Sequence, residues 1–267
     1  MRSLLTGFVF AFASAAAQAA VIATPVEYSL GDTEMSGFLV HDDATTRLRP
    51  GLVMVPNWLG VTDDAVARAK ELARSDYVIL VADMYGKGVR PKDPTEAMAQ
   101  VRTMYANVEL MRERANAAVD ALRAQAGKLP VDPQRIGALG FCFGGSTVLE
   151  LARSGADVLG VVSLHGGLTT SKPAVAGTLK APILVLNGAA DTAVKAEDIA
   201  GFGAEMDGAG ADWQFVNFSG AVHCFAEPSA ARPPNCVYNE RAAKRAYRMT
   251  DAFFSEAFAK VPVRDRP

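Results

Sequence analysis

The hydrophobic positions of this chain fall into short apolar runs, separated by longer stretches in which apolar residues recur every three or four positions. Val26 to Val40 alternates loosely around Gly31-Asp32, and a turn pair between alternating runs predicts an opening hairpin. Leu52-Val53-Met54-Val55 and Tyr77 to Ala82 are apolar at successive residues and read as buried strands, with an amphipathic stretch from Asp63 to Arg74 between them. Pro94 to Ala126 carries a helical pattern with a proline start and a Gly127 stop. Arg135–Leu139, Leu159–Leu164, Pro182–Leu186 and Trp213–Asn217 supply further strands, and a closing helix is expected from about Glu240 to Ala259.

Strands that are apolar on both faces, rather than alternating, belong to parallel sheets covered by helices on each side. The predicted fold is therefore α/β: a mostly parallel, doubly wound sheet with helices on both faces. In such sheets, functional residues lie beyond the carboxyl ends of the strands. No repeat, low-complexity tract or long linker divides the chain, so a single domain is expected over residues 20–267.

The first residues read differently. Met1-Arg2-Ser3 carries a positive charge, Leu4 to Ala17 is apolar and small, and Ala17-Gln18-Ala19 fits a small-x-small cleavage site. The apolar run falls short of the roughly 20 residues that span a bilayer, which favours a signal peptide over 1–19 against an uncleaved anchor. The mature chain is expected to be exported, to a bacterial periplasm, with no stable membrane anchor. The net charge of −2 shows no basic excess, so nucleic acid is not an expected partner.

Export changes how the three cysteines, Cys142, Cys224 and Cys236, are read. In an oxidising compartment thiols tend to pair. Cys224 and Cys236 bracket a short proline-rich segment, and a bridge between them is favoured over two separate reduced thiols on compartment rather than spacing. Cys142 is then the odd thiol.

Gly140-Phe141-Cys142-Phe143-Gly144-Gly145 follows an apolar strand and precedes the helical pattern Ser146–Leu151. That is the setting of a nucleophile elbow with cysteine in the serine position. The helix N-terminus favours a negative sulfur. A glycine-rich turn around a structural cysteine is the plainer alternative. Asp191 follows the Pro182–Leu186 strand and His223 the Trp213–Asn217 strand, giving the order nucleophile, acid, histidine of the α/β-hydrolases. His223 is placed to take the thiol proton and Asp191 to fix its tautomer. Oxyanion donors are expected from the amides of Phe143 and Trp58, the latter in Pro56-Asn57-Trp58-Leu59-Gly60. Of the other histidines, His41 is expected at the surface, and His165 either lines the cleft or packs behind the elbow. Metal-ligand spacing is lacking, and Asp63-Asp64 reads as helix capping.

At these residues the chain resembles the dienelactone hydrolase family, over nearly the whole mature length. The resemblance rests on Val53-Met54-Val55-Pro56-Asn57-Trp58-Leu59-Gly60-Val61, Ala82-Asp83-Met84-Tyr85-Gly86, the Cys142 turn, Asn187-Gly188-Ala189-Ala190-Asp191 and His223-Cys224-Phe225. It implies a Cys142-His223-Asp191 triad, an oxyanion hole at Phe143 and Trp58, and no cofactor. Two departures stand out. Asn57 occupies the place of a family glutamate that helps form the thiolate, and Glu227 stands where an arginine grips a substrate carboxylate. Arg90 and Arg102 are the candidate replacements for that grip.

The function expected is a cysteine hydrolase acting, as a monomer, on a small ester or lactone through an acyl-enzyme. Asn57, Tyr85, His165 and Phe225 are the candidate pocket residues. Two other readings remain at this level: a non-catalytic binding or sensor protein on a hydrolase fold, and a thiol redox protein cycling Cys142 with Cys224.

Overall fold

The computed structural model describes residues 20–74 and 76–262; the expected signal peptide lies outside them. β1 (Val21–Leu30) and β2 (Thr33–Asp42) form the opening hairpin, longer than the alternation suggested. Gly31, at φ 55°, makes its two-residue turn possible because only glycine adopts that conformation without a steric cost. The sheet continues through β3 (Arg49–Val55), β4 (Val78–Val81), β5 (Val131–Phe141), β6 (Val161–Leu164), β7 (Ile183–Gly188) and β8 (Trp213–Phe218). The strand order is β1-β2-β4-β3-β5-β6-β7-β8, and every pairing from β4 to β8 is parallel.

Alternation along each strand divides the core in two. Val53, Leu80, Ala138, Val161 and Val185 face α2 (Pro94–Ala106), α3 (Val108–Arg123), α4 (Phe143–Arg153) and α5 (Ala196–Ala209). Leu52, Ile79, Leu139, Val162 and Leu184 face α1 (Asp63–Ala73) and α6 (Glu240–Ala259). Both faces are covered, which is why these strands carry no polar alternation.

Four features differ from expectation. The pattern from Pro94 to Ala126 is two helices, because Asn107 leaves helical geometry while its side chain caps α3 by accepting from the Leu110 amide. α5 was not expected; its signals are Asp198, whose side chain accepts from the Lys195 amide at 2.9 Å, and a left-handed Gly210 at φ 70°. His41 is buried rather than at the surface, its Nδ1 3.1 Å from the Asp42 carbonyl. Lastly, a two-stranded ribbon, β9 (Ala231–Arg232) and β10 (Cys236–Val237), lies within the proline-rich segment. The cap of α1 is Thr62, with Asp63 and Asp64 in the first turn, where acidic groups suit the helix dipole.

α4, which carries the elbow, is anchored by buried charge. Glu150 accepts from Arg112 at 2.7 Å and from Arg153 at 2.9 Å, and Arg153 reaches Glu205 of α5 at 2.8 Å. The Arg153 and Glu150 side chains are 1% and 3% exposed, so each charge depends on its partners rather than on water.

Candidate active site

Cys142 sits between β5 and α4 with φ 54° and ψ −117°, a strained conformation for a side chain that is not glycine. The turn can close this tightly only because its neighbours lack side chains. A Cβ on Gly140 would lie 2.1 Å from the Gly144 carbonyl oxygen, and one on Gly144 would lie 2.0 Å from that of Val55. The Cys142 amide is held from behind by the Leu164 carbonyl at 3.0 Å and by His165 Nδ1 at 3.1 Å.

His223 Nε2 stands 3.0 Å from Cys142 Sγ, and its Nδ1 donates to Asp191 Oδ2 at 2.7 Å. The other Asp191 oxygen accepts from the Ala193 amide at 2.8 Å, which fixes the carboxylate plane. The two loops are stitched together: the Ala189 and Ala190 amides donate to Phe218 and Ala221 at 3.0 and 2.9 Å. Burial opposes charge on His223. The hydrogen bonds and negative charges of Asp191 and Cys142 together outweigh it, and its pKa is pushed up to about 10. The imidazole thus holds its proton beside the sulfur, as a thiolate nucleophile requires.

The amides of Phe143 and Trp58 donate to no group among the described residues. Phe143 opens α4, where the first amides have no helical partner. Trp58 lies in a turn closed by the Leu59 amide on Asn57 Oδ1 at 3.0 Å and the Gly60 amide on the Asn57 carbonyl at 2.9 Å.

A cleft of about 380 Å³ opens over Cys142. Asn57 and Trp58 form part of its wall, with Glu227, Lys92 and Arg232 also lining it. The other three expected pocket residues do not line it. Tyr85 is buried against Phe143, ring centroids 5.7 Å apart, and donates to the Trp58 carbonyl at 2.8 Å. His165 and Phe225 are fully buried, stacked edge to face behind the elbow, because the chain after β6 tucks His165 under the Cys142 amide. Nor is either arginine free to grip a substrate. Arg90 is spent on Asp83 and the Ser36 carbonyl, at 3.2 and 2.7 Å, and Arg102 is exposed on α2, away from the cleft lining. Arg232, missed from the sequence, lies over Trp58 with its guanidinium carbon 5.1 Å from the ring centroid.

Cys224 and Cys236 are bridged and Cys142 is free, so the redox alternative has lost the partner it needed. Among the described residues no cluster of side chains has the makings of a metal site, and no helix is long and apolar enough to cross a membrane.

A strained thiol, an aspartate and a histidine beyond the ends of β5, β7 and β8 of a mostly parallel sheet define an α/β-hydrolase with a cysteine nucleophile position. The model of the dienelactone hydrolase family matches residues 35–258, and the chain belongs to that family. Among solved structures it is similar to one described as m3DLH, at 34% identity and a TM-score of 0.83, covering 89% of this chain and 99% of that one. It is also similar to the dienelactone hydrolase-like promiscuous phosphotriesterase P91 from metagenomic libraries, at 36% identity and a TM-score of 0.82, covering 90% and 99%. An uncharacterized Caenorhabditis elegans protein, K02A2.1, is 35% identical over 154 residues, 56% of this chain and 95% of its own. The chain is a cysteine-based hydrolase of the ester and lactone class, working through an acyl-enzyme.

Proposed function

We propose that Cys142 is the nucleophile, His223 the acid and base, Asp191 its orienter, and that the substrate is a small ester or lactone carrying no charge near the scissile bond. The observation that carries this reading is the 3.0 Å and 2.7 Å pair of contacts that lines up sulfur, imidazole and carboxylate beside the cleft. The sulfur attacks the carbonyl carbon, and the oxyanion is received by the Phe143 and Trp58 amides. His223 gives its proton to the leaving oxygen as the C–O bond breaks, leaving a thioester on Cys142. Water then gives a proton to His223 and attacks the thioester, and collapse breaks the C–S bond and frees the acid. Glu227 in the cleft wall disfavours a substrate carboxylate held next to it.

A p-nitrophenyl acetate assay tests the assignment: Cys142→Ala abolishes turnover, and retained turnover would sink it. A second reading, cleavage of uncharged phosphotriesters as a side activity, is favoured by the similarity to P91 over nearly the whole chain. Slow release of nitrophenol from a dialkyl p-nitrophenyl phosphate, lost in Cys142→Ala, supports it. The enzyme acts as a monomer, consistent with all three triad residues coming from one chain, and light scattering tests this. It is exported with cleavage after Ala19, consistent with the cleavage pattern and with a disulfide suited to an oxidising compartment. N-terminal sequencing of the periplasmic fraction tests the cleavage.

A further inference from the structure

Glu227 lies four residues beyond His223, inside the segment closed by the Cys224–Cys236 bridge. Its side chain is only 15% exposed, and a carboxyl taken out of water needs partners. The structure offers it donors on two sides. Asn57 Nδ2 hydrogen-bonds to Glu227 Oε2. On the other side, His165 Nε2 stands 3.7 Å from Oε1.

The proton on His165 can be placed. Its Nδ1 accepts the Cys142 amide, and burial holds its pKa well below the ordinary value, so the ring is neutral and carries its hydrogen on Nε2. That N–H is wholly buried and has no hydrogen-bond partner among the described residues; the Glu227 carboxyl is the acceptor it faces. On the opposite side, Asn57 does more than meet Glu227. Its Oδ1 accepts the Leu59 amide, which closes the turn that presents the Trp58 amide. A polar path therefore runs from the Cys142 amide through His165, across the 3.7 Å approach of its Nε2 to Glu227, and on through Asn57 to the Leu59 amide. At its two ends sit the turns that hold the Phe143 and Trp58 amides.

We propose that Glu227 is a positioning residue: by receiving Asn57 on one oxygen and facing His165 with the other, it sets the spacing between the elbow and the Trp58 turn, and so the width of the oxyanion hole. The inference rests on the hydrolase reading above. Two donors converge on this point, so two acceptor oxygens are needed there. A carboxylate supplies both and a carboxamide only one, so Glu227→Gln leaves an amide N–H facing another donor. Oxyanion donors act only within a narrow distance range, and a displacement of about 1 Å can cost on the order of a hundredfold in rate. The loss appears in kcat, because the oxyanion exists only after attack.

The test uses the mature protein, p-nitrophenyl acetate and iodoacetamide. Glu227→Gln is expected to lower kcat about tenfold or more, with KM changed by less than about twofold. Alkylation of Cys142 is expected to be no slower than in the wild type, because His223 and Asp191 still hold the sulfur. The double variant Glu227→Gln with Asn57→Asp reverses the polarity of the bond: the new amide donates to the carboxylate at position 57, which still accepts Leu59. It is expected to recover most of the lost kcat. A kcat in Glu227→Gln within about twofold of wild type, a parallel fall in alkylation, or a double variant no better than the single would each overturn the proposal. Absence of Cys142-dependent turnover in the wild type would overturn the hydrolase reading itself.

Discussion

The Cys224–Cys236 bridge closes a segment with a sequence separation of 12 that carries Glu227 and Arg232 and adjoins His223. Replacing Cys224 by alanine, since it is buried, and Cys236 by serine, since it is half-exposed, removes the bond without leaving a thiol beside Cys142. On chain entropy, a loop of that length stabilises the fold by about 3 kcal/mol. For a chain of this size about 2–4 °C of Tm accompanies each kcal/mol, so a fall of roughly 6–12 °C is expected in scanning calorimetry. The segment is also held by backbone hydrogen bonds: the Val237 amide on the His223 carbonyl at 3.2 Å, Tyr238 on Ala230 at 3.0 Å and Asn239 on Phe225 at 3.0 Å. Esterase activity at low temperature should therefore survive, then fail well below the wild-type inactivation temperature. A Tm change under about 2 °C would refute the reasoning, because the unbridged chain would then have no extra freedom to lose on folding. Loss of activity in the cold with Tm intact would refute it differently, by making the bond a direct support of His223.

Three further outcomes are expected. The pKa of His223 is raised from its unfolded value near 6.5 to about 10, so the stability from its pairing is complete below 6.5 and is lost as pH rises through about 10. kcat/KM for a neutral ester should fall over that upper limb, and Asp191→Asn should shift the limb down and cut kcat about a hundredfold or more; an unmoved limb would contradict the assignment. Gly144→Ala places a methyl 2.0 Å from the Val55 carbonyl and 2.5 Å from that of Pro56, and backbone cannot swing aside as a side chain can. Urea unfolding should show a loss of at least about 1–3 kcal/mol together with a fall in kcat, and an unchanged midpoint would argue against the close approach. Arg153→Met leaves Glu150 with Arg112 and takes from Glu205 its guanidinium partner, leaving it the Ala174 amide, and should cost about 3 kcal/mol by the same measurement. A cost under about 1 kcal/mol would mean that water reaches the pair.

The catalytic residues were legible because each carries a local signature. Cys142 lies between glycines at a strand-to-helix junction, and Asp191 and His223 follow apolar runs that could only be buried strands. The pocket was not legible, for a reason visible at His165 and Phe225. His165 follows a buried strand and Phe225 lies close behind His223, yet the chain turns both inward, under the elbow, where no periodicity records the direction. Tyr85 failed likewise: its neighbours match the family, but its ring packs on Phe143 and its hydroxyl is committed to Trp58. The helical pattern through Asn107 concealed a break, since the apolar spacing on either side remains in phase while the cap interrupts the backbone.

By itself the sequence determined the sheet, the covering of both its faces, and the nucleophile–acid–histidine order. Burying apolar strands and making a tight turn are demands met by residue type at neighbouring positions. Only the tertiary structure decided that Arg90 is spent on Asp83, that Arg232 lies over Trp58, and that Glu227, Asn57 and His165 meet behind the oxyanion hole. Except for Arg90 and Asp83, these contacts join residues tens to more than a hundred positions apart. Their partners are chosen by the packing of loops at one end of the sheet, which no local pattern encodes.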